Sequence, residues 1–455
     1  MNDLLIRHGT VVTADGTREA DVAIENGVVV ALGRDLGRPR AEIDAHGLVL
    51  LPGVVDVHLH FNEPGRTEWE GGATGSRAFA AGGGTLFFDM PLNSTPCTVT
   101  AGDVELKRLA LEAASITDFG LWGGLTPGSV GAMDEMAAAG VVGFKAFMSN
   151  SGLPEFPRAD DATLFEGMRN AARLGLPVAV HAENEELTAG LARRMSGRDA
   201  RAFLRSRPVL AELDAIQRAL LFAGETGAPL HIVHISSGRG VAMAAAAKAR
   251  GVNVSIETCA HYLFFTEEDV ERLGAVAKCA PPLRPGDEQD RLWTELLAGH
   301  VDIVASDHSP SEPRLKQGDF IAAWGGIAGV QSTLAVMLER GHHQRRLPLA
   351  RIASLLAHTP ARRFKIAGKG QIAPGFDADI VLIDLDESFT LEANALHQRH
   401  KSSPYVGQTF RGRVKQTIRR GETIFADGRI CGETKGRFVR PATDGRGGGG
   451  GRRDD

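Results

Sequence analysis

Two histidines one residue apart, His58 and His60, sit in the stretch V-V-D-V-H-L-H-F-N at residues 54–62. Strand side chains repeat every two residues, so both imidazoles leave the same face of a stiff element. Two rings held this way can grip one metal ion at little ordering cost, and Asp56 shares their face within reach of one of them. A His-x-His pair can equally be two core histidines. The other residues able to do chemistry are Lys145, His181, His234 and Asp307, each at or near the end of an apolar run. Taken singly, His181 or His234 reads as a satisfied core histidine, Lys145 as half of an ion pair, and Asp307 as a helix cap. Lys145 changes the reading. A buried ammonium among cations is strongly disfavoured, whereas an amine that has captured carbon dioxide is a carbamate with two oxygens. Such a group can bridge two metal ions, and four imidazoles, a bridging N6-carboxylysine and one carboxylate make a two-metal hydrolytic set. Without thiolates, that set suits two divalent ions, Zn²⁺ first, with Mn²⁺, Co²⁺ or Fe²⁺ also able to fit.

Positioning such a set requires stiff elements that converge. Beyond Pro52-Gly53, strand-like runs at residues 54–62, 85–90, 118–123, 141–147, 176–181, 230–235, 252–257 and 301–306 alternate with helical patterns. One such pattern, 162–174, places Leu164, Phe165, Met168, Ala171 and Ala172 on one face and stops at Gly175. Eight β units of this kind predict an α/β fold, a (β/α)8 TIM barrel, whose catalytic groups lie at the carboxyl ends of the strands. Strand one then brings His58 and His60, strand four Lys145, strand five His181, strand six His234 and strand eight Asp307. All six converge on one mouth. Residues 1–52 read as β, with short runs at 4–8, 10–13, 20–24 and 28–32 and an Asn26-Gly27 hairpin signal. From about Gly370 the texture is β again, with runs at 380–385, 412–418 and 422–426. The expected organisation is a barrel over 53–368 and a small β-sandwich domain assembled from both termini, 1–52 and 369–440. A Gly- and Arg-rich tail, 441–455, cannot bury a core and is expected to be disordered.

The chain has 455 residues, enough for a barrel of about 250 plus a smaller unit. A net charge of −5 gives no reason to expect a nucleic-acid partner, and the Arg-rich stretch 193–207 reads as a solvated helix face. No apolar run of about 18 residues and no leader pattern are present, so no membrane partner is expected and the cytoplasm is the expected compartment. Cys97, Cys259, Cys279 and Cys431 are widely scattered with no Cys-x-x-Cys spacing, so neither a disulfide framework nor a thiolate zinc site is suggested.

The motifs D-V-H-L-H, G-F-K-A-F, V-H-A-E-N, V-H-I-S-S and A-S-D-H-S-P resemble the cyclic amidase branch of the amidohydrolase superfamily, which includes dihydroorotases, hydantoinases (dihydropyrimidinases) and allantoinases. The likeness runs from about residue 4 to 430. It implies that His58, His60 and Asp307 hold one metal, that His181 and His234 hold the other, and that Lys145, carboxylated, bridges both. Dihydroorotases typically follow His-x-His with Leu-Arg, whose Arg binds the substrate carboxylate; Phe61-Asn62 stand here. Hydantoinases usually carry a Tyr five residues after the bridging Lys; here that position is Asn150. The stretches H-F-N-E-P-G-R-T-E-W-E-G, D-M-P-L-N-S, K-A-F-M-S-N-S-G, K-C-A-P-P-L-R and A-W-G-G-I-A-G-V-Q-S-T resemble the allantoinases. Ser311 departs from the Cys common at its place, and neither it nor His261 receives a role.

The resemblance thus implies hydrolysis of the cyclic amide of allantoin, with hydantoinase or dihydroorotase activity as the alternative. Asp307 would serve as proton carrier as well as ligand, and Asn93 and Asn150 as substrate contacts or as plain loop asparagines. A homotetramer is implied by the family. Non-catalytic scaffold members of the wider family would lack metal ligands, and all six are present here.

Overall fold

The computed structural model describes residues 2–14 and 16–442, and the expected tail beyond 442 lies outside them. Eight parallel strand positions form the barrel: Val54–Leu59, Gly84–Asp89, Asp118–Leu121 continued by Gly123–Gly124, Phe144–Phe147, Val178–His181, Leu230–Ile232, Val254–Cys259 and Ile303–Ala305. A parallel bridge between Leu59 and His308 brings strand eight back to strand one and closes the circle. These strands read as near-continuous apolar runs because they are buried on both faces, by the barrel interior and by the helices outside.

Strand eight carries the left-handed Asp307 two residues beyond its end, and strand six the left-handed His234; their φ angles are 41° and 38°. Non-glycine residues hold this conformation only where the surroundings over-determine it. Both side chains line the cavity at the mouth.

The helix Asp161–Leu174 forms where the 3.6 period predicts. Asp160 caps it by accepting from Thr163 N, and Gly175 ends it at φ 66°. Its buried stripe is Leu164, Met168 and Ala171, at i, i+4 and i+7. Phe165, expected on that face, is 38% exposed and meets Phe222 edge-on. It lies about 100° round the helix from Leu164, outside so narrow a stripe. Gly75, in the helix Gly72–Ala81, touches the ring of Phe61, which any added Cβ would overlap. That contact seats the helix against the strand that carries His58 and His60.

The β-sandwich domain is drawn from both ends of the chain. Nine strands, Asn2–Thr13, Gly16–Glu25, Val28–Gly33, Pro39–Asp44, Val49–Pro52, Ile380–Thr390, Thr409–Arg419, Glu422–Ala426 and Arg429–Ile430, make one hydrogen-bonded sheet. Val49–Pro52 is the joint between the two halves, parallel to Asn2–Thr13 and antiparallel to Ile380–Thr390. Leu4, Ile6, Val22, Ile24, Leu50, Ile380, Leu382 and Ile418 form its own core. The two runs expected at 4–8 and 10–13 are one strand with a register shift between Ile6 and Gly9, where His8 takes φ 60°. Asn26 and Gly27 both have positive φ, as a primed hairpin turn demands. Residues 437–439 leave this domain and lie beside barrel strand three, with Phe119 N bonded to Arg437 O and Val439 N to Phe119 O. No helix among the described residues is long and apolar enough to cross a membrane.

Candidate metal centre

His58, His60, His181, His234, Asp307, Asn93 and Asn150 line one cavity of about 500 Å³ at the carboxyl ends of the strands. Lys145 lies beneath it, buried, its Nζ 5.1 Å from the Phe147 ring centroid. The six residues expected to bind metal are therefore brought together, and both asparagines reach the same space.

Three of the four imidazoles, those of His58, His60 and His181, are fixed by what holds their far nitrogens. His58 Nδ1 is 2.8 Å from Glu257 Oε1, and a carboxylate there requires the proton on Nδ1. Its Nε2 is left with a lone pair, 3.3 Å from Asp307 Oδ1. His60 points Nδ1 at Leu92 O, 3.5 Å away, and Nε2 at the same Asp307 oxygen at 3.6 Å. His181 gives its Nε2 proton to Glu183 at 2.8 Å, so its Nδ1 lone pair faces His234 Nε2 at 3.0 Å. Two imidazole nitrogens aimed at each other are well placed to share a cation. Burial lowers the pKa of His58, His181 and His234, which favours the neutral, ligating form.

Lys145 Nζ has no hydrogen-bond partner among the described residues and is fully enclosed. Burial pulls its pKa down to about 8, against the opposing pull of Asp307 and Glu257. A buried amine with no partner and a suppressed charge is the form that adds carbon dioxide. The Asp307 carboxyl, pushed up by burial, is held well below its usual range by His58, His60 and His261. His58, His234 and Asp307 offer donor atoms within 4.8 Å of one another, and so do Cys259, His261 and Asp307. Two donor clusters sharing Asp307 support a binuclear metal site.

Several residues of the site have no counterpart in the sequence reading. Glu257 accepts from His58, from His231 Nε2 at 2.8 Å and from His234 N at 2.9 Å, so one buried carboxylate ties two residues of the centre to the His231 behind them. Its signal was a lone acid in the apolar run V-S-I-E-T-C. Glu183 lies two residues past His181, on the same side of the extended chain, and that spacing was the available clue. Asp56 does not hold an imidazole; its carboxylate takes the backbone N–H of His58 and Ser306 at 3.1 and 3.2 Å, tying strand one to strand eight. Burial pushes that carboxyl up to about 7. Arg207 is no solvated face residue: it lines the cavity and its Nη1 bonds the buried Glu183. Ser311 lies off the cavity wall, its Oγ buried without a partner among the described residues. His308 turns away, its Nδ1 accepting from Gly329 N at 3.1 Å.

Asn93, at φ 68°, donates from Nδ2 to Ser309 Oγ at 3.3 Å. Asn150 is exposed at the rim, its Oδ1 taken by Gly152 N and its Nδ2 without a partner among the described residues. A second wall is formed by residues 321–326, anchored where Lys278 Nζ donates to Phe320 O, Ile321 O and Ala323 O.

A (β/α)8 barrel with a small β domain and a cluster of imidazole and carboxylate donors at its mouth defines a metal-dependent hydrolase. The amidohydrolase family model matches residues 49–424, and the chain belongs to the amidohydrolase family. Within it the chain is a hydrolase of carbon–nitrogen bonds. It is 61% identical over 445 residues to the allantoinase of Solibacter usitatus, covering 97% of each chain, and 56% identical over 444 residues to that of Rubrobacter xylanophilus, covering 96% and 98%. Among solved structures, the L-hydantoinase (dihydropyrimidinase) from Arthrobacter aurescens superposes with TM-score 0.94 at 33% identity, covering 97% of this chain and 100% of that one. The dihydropyrimidinase from Brevibacillus agri gives 0.90 at 30%, covering 97% and 99%.

Proposed function

We propose that this chain hydrolyses allantoin to allantoate, opening the hydantoin ring at its cyclic amide. The observation that carries the reading is a cluster of imidazole and carboxylate donors at a cavity wall whose two cations, Arg207 and Lys278, are already hydrogen-bonded by the protein. Asn62, where dihydroorotases place their Arg, is buried and turns its amide to Pro310 O at 3.3 Å. The cations that do line the wall are engaged, Arg207 by Glu183 and Lys278 by three carbonyls. A neutral, amide-rich ring suits such a wall better than a carboxylate does. The identity to allantoinases over nearly the whole chain supports the same choice.

The residues fit a metal pair: His58, His60 and Asp307 would hold one ion, His181 and His234 the other, and Lys145 as N6-carboxylysine would span both. When bound, two divalent ions, Zn²⁺ by preference for this donor set, supply an activated water and polarise the scissile carbonyl. Asp307 then does the proton work. Its carboxylate, held ionised by the histidines around it, accepts a proton from the attacking water and returns it to the leaving ring nitrogen. Asn93 and the free Nδ2 of Asn150 would orient the ring through its carbonyls. On the family resemblance we extend the proposal to a homotetramer in the cytoplasm.

Steady-state comparison of allantoin, hydantoin, dihydrouracil and dihydroorotate tests the reading. A missing charge-assisted bond costs dihydroorotate about tenfold or more. Allantoin should lead by at least that factor, and equal or faster turnover of dihydroorotate would refute the assignment.

A further inference from the structure

Arg207 closes the helix Ala200–Ser206 and enters the cavity wall from an element outside the barrel strands. Its backbone is pinned, because the buried Arg284 donates Nη1 to Arg207 O and Nε to Ser236 Oγ. Its guanidinium rests over Phe203, 5.7 Å from the ring centroid. One edge is spent: Nη1 bonds Glu183, which is fully buried and holds His181. The cost of leaving that carboxylate unpaired keeps the guanidinium from swinging away. The other edge is not spent, since Nε and Nη2 have no hydrogen-bond partner among the described residues, and the side chain keeps 20% of its surface exposed.

A planar fork fixed along one side presents its remaining N–H groups in a set direction. Its charge is matched by Glu183, so it offers donors without a net charge. That combination favours a neutral carbonyl over a carboxylate. Lys278, the other cation of the wall, cannot compete for this task because its ammonium is consumed by three backbone carbonyls.

We propose that Arg207 is a specificity-determining residue whose free guanidinium edge binds the carbonyl of the substrate's ureido substituent. The inference rests on the allantoinase reading and deepens it: the barrel residues handle the ring, and Arg207 reads what hangs from it. Hydantoin has the ring without the substituent and is the natural control.

The test compares parent, Arg207→Gln and Arg207→Lys on allantoin and hydantoin, with metal content measured on each protein. Lysine still neutralises Glu183 but lacks the second donor edge. Both variants should lower the allantoin-to-hydantoin ratio of kcat/KM about ten- to a hundredfold, chiefly by raising KM for allantoin. Arg207→Lys should keep the metal content of the parent. Because Arg207→Gln strands a buried carboxylate, a Glu183→Gln/Arg207→Gln double variant carries the same comparison without that charge, and its ratio should fall equally. A ratio unchanged in the double variant, or restored to the parent value by lysine, overturns the proposal and leaves Arg207 a structural partner of Glu183. A parent enzyme that opens hydantoin and not allantoin overturns the functional reading itself, whatever the variants do.

Discussion

Replacing Glu257 by glutamine changes one oxygen for one NH₂ at the point where His58, His231 and His234 meet. Burial raises the Glu257 carboxyl, but His58 and His231 outweigh it and hold its pKa at about 2, against a usual 4.5. At about 1.4 kcal/mol per pH unit, that difference corresponds to about 3 kcal/mol of native-state stabilisation. A folded value below the usual one means that the unfolded chain takes up the proton first as pH falls. The stabilisation is therefore complete above about pH 4.5 and is lost as pH falls from there through about 2. Glutamine can keep Oε1 on His58 Nδ1 and His234 N while its amide nitrogen meets His231 Nε2. His231 must then move its proton to Nδ1, where Ser255 Oγ stands 2.8 Å away to accept it. The fold should survive, but the charge that strengthens the His58 bond is gone. Metal-free Glu257→Gln should be less stable than the parent at pH 7, with the gap narrowing as pH falls below about 4.5. Its metal affinity should fall about 10- to 100-fold, the range for a group that orients a ligating histidine. Thermal unfolding across that pH range and chelator competition at pH 7 measure the two effects. Unchanged chelator competition together with a constant gap in stability would refute the account.

Lys145→Ala should lose most bound metal and activity, with partial return when a short carboxylic acid is added in place of the carbamate; metal analysis and turnover decide, and a fully active variant would end the carbamate model. Asp307→Asn should keep much of its metal, because an amide oxygen still ligates, while turnover falls about 10²- to 10⁴-fold for want of a proton acceptor. His308→Ala, prepared alongside it, should lose far less turnover, since that ring faces away from the cavity. Near-parental turnover by Asp307→Asn with both ions bound would remove Asp307 from the proton step.

The sequence alone determined the barrel, the β domain built from both termini, and the gathering of His58, His60, Lys145, His181, His234 and Asp307 at one mouth. These features are written in local signals. Strands buried on both faces read as apolar runs, turns need Gly and Asn, and a barrel places polar residues at strand ends where nothing apolar can stand in for them. Only the tertiary structure decided which groups orient those donors. Glu257 and His58 lie 199 residues apart and meet because strands one and seven curve round the same barrel. Asp56 shares a strand face with His58 by periodicity, yet its carboxylate is claimed by backbone N–H groups, one of them 250 residues away. Arg207 has the composition of a solvated helix face, and nothing in its neighbours in sequence marks it as different from Arg193 or Arg194. It differs because the chain end of its helix turns inward over Glu183, and the cost of an unpaired buried carboxylate fixes it there. Periodicity encodes what a residue's own element does with it; the partner it meets across the barrel is set by closure of the whole chain.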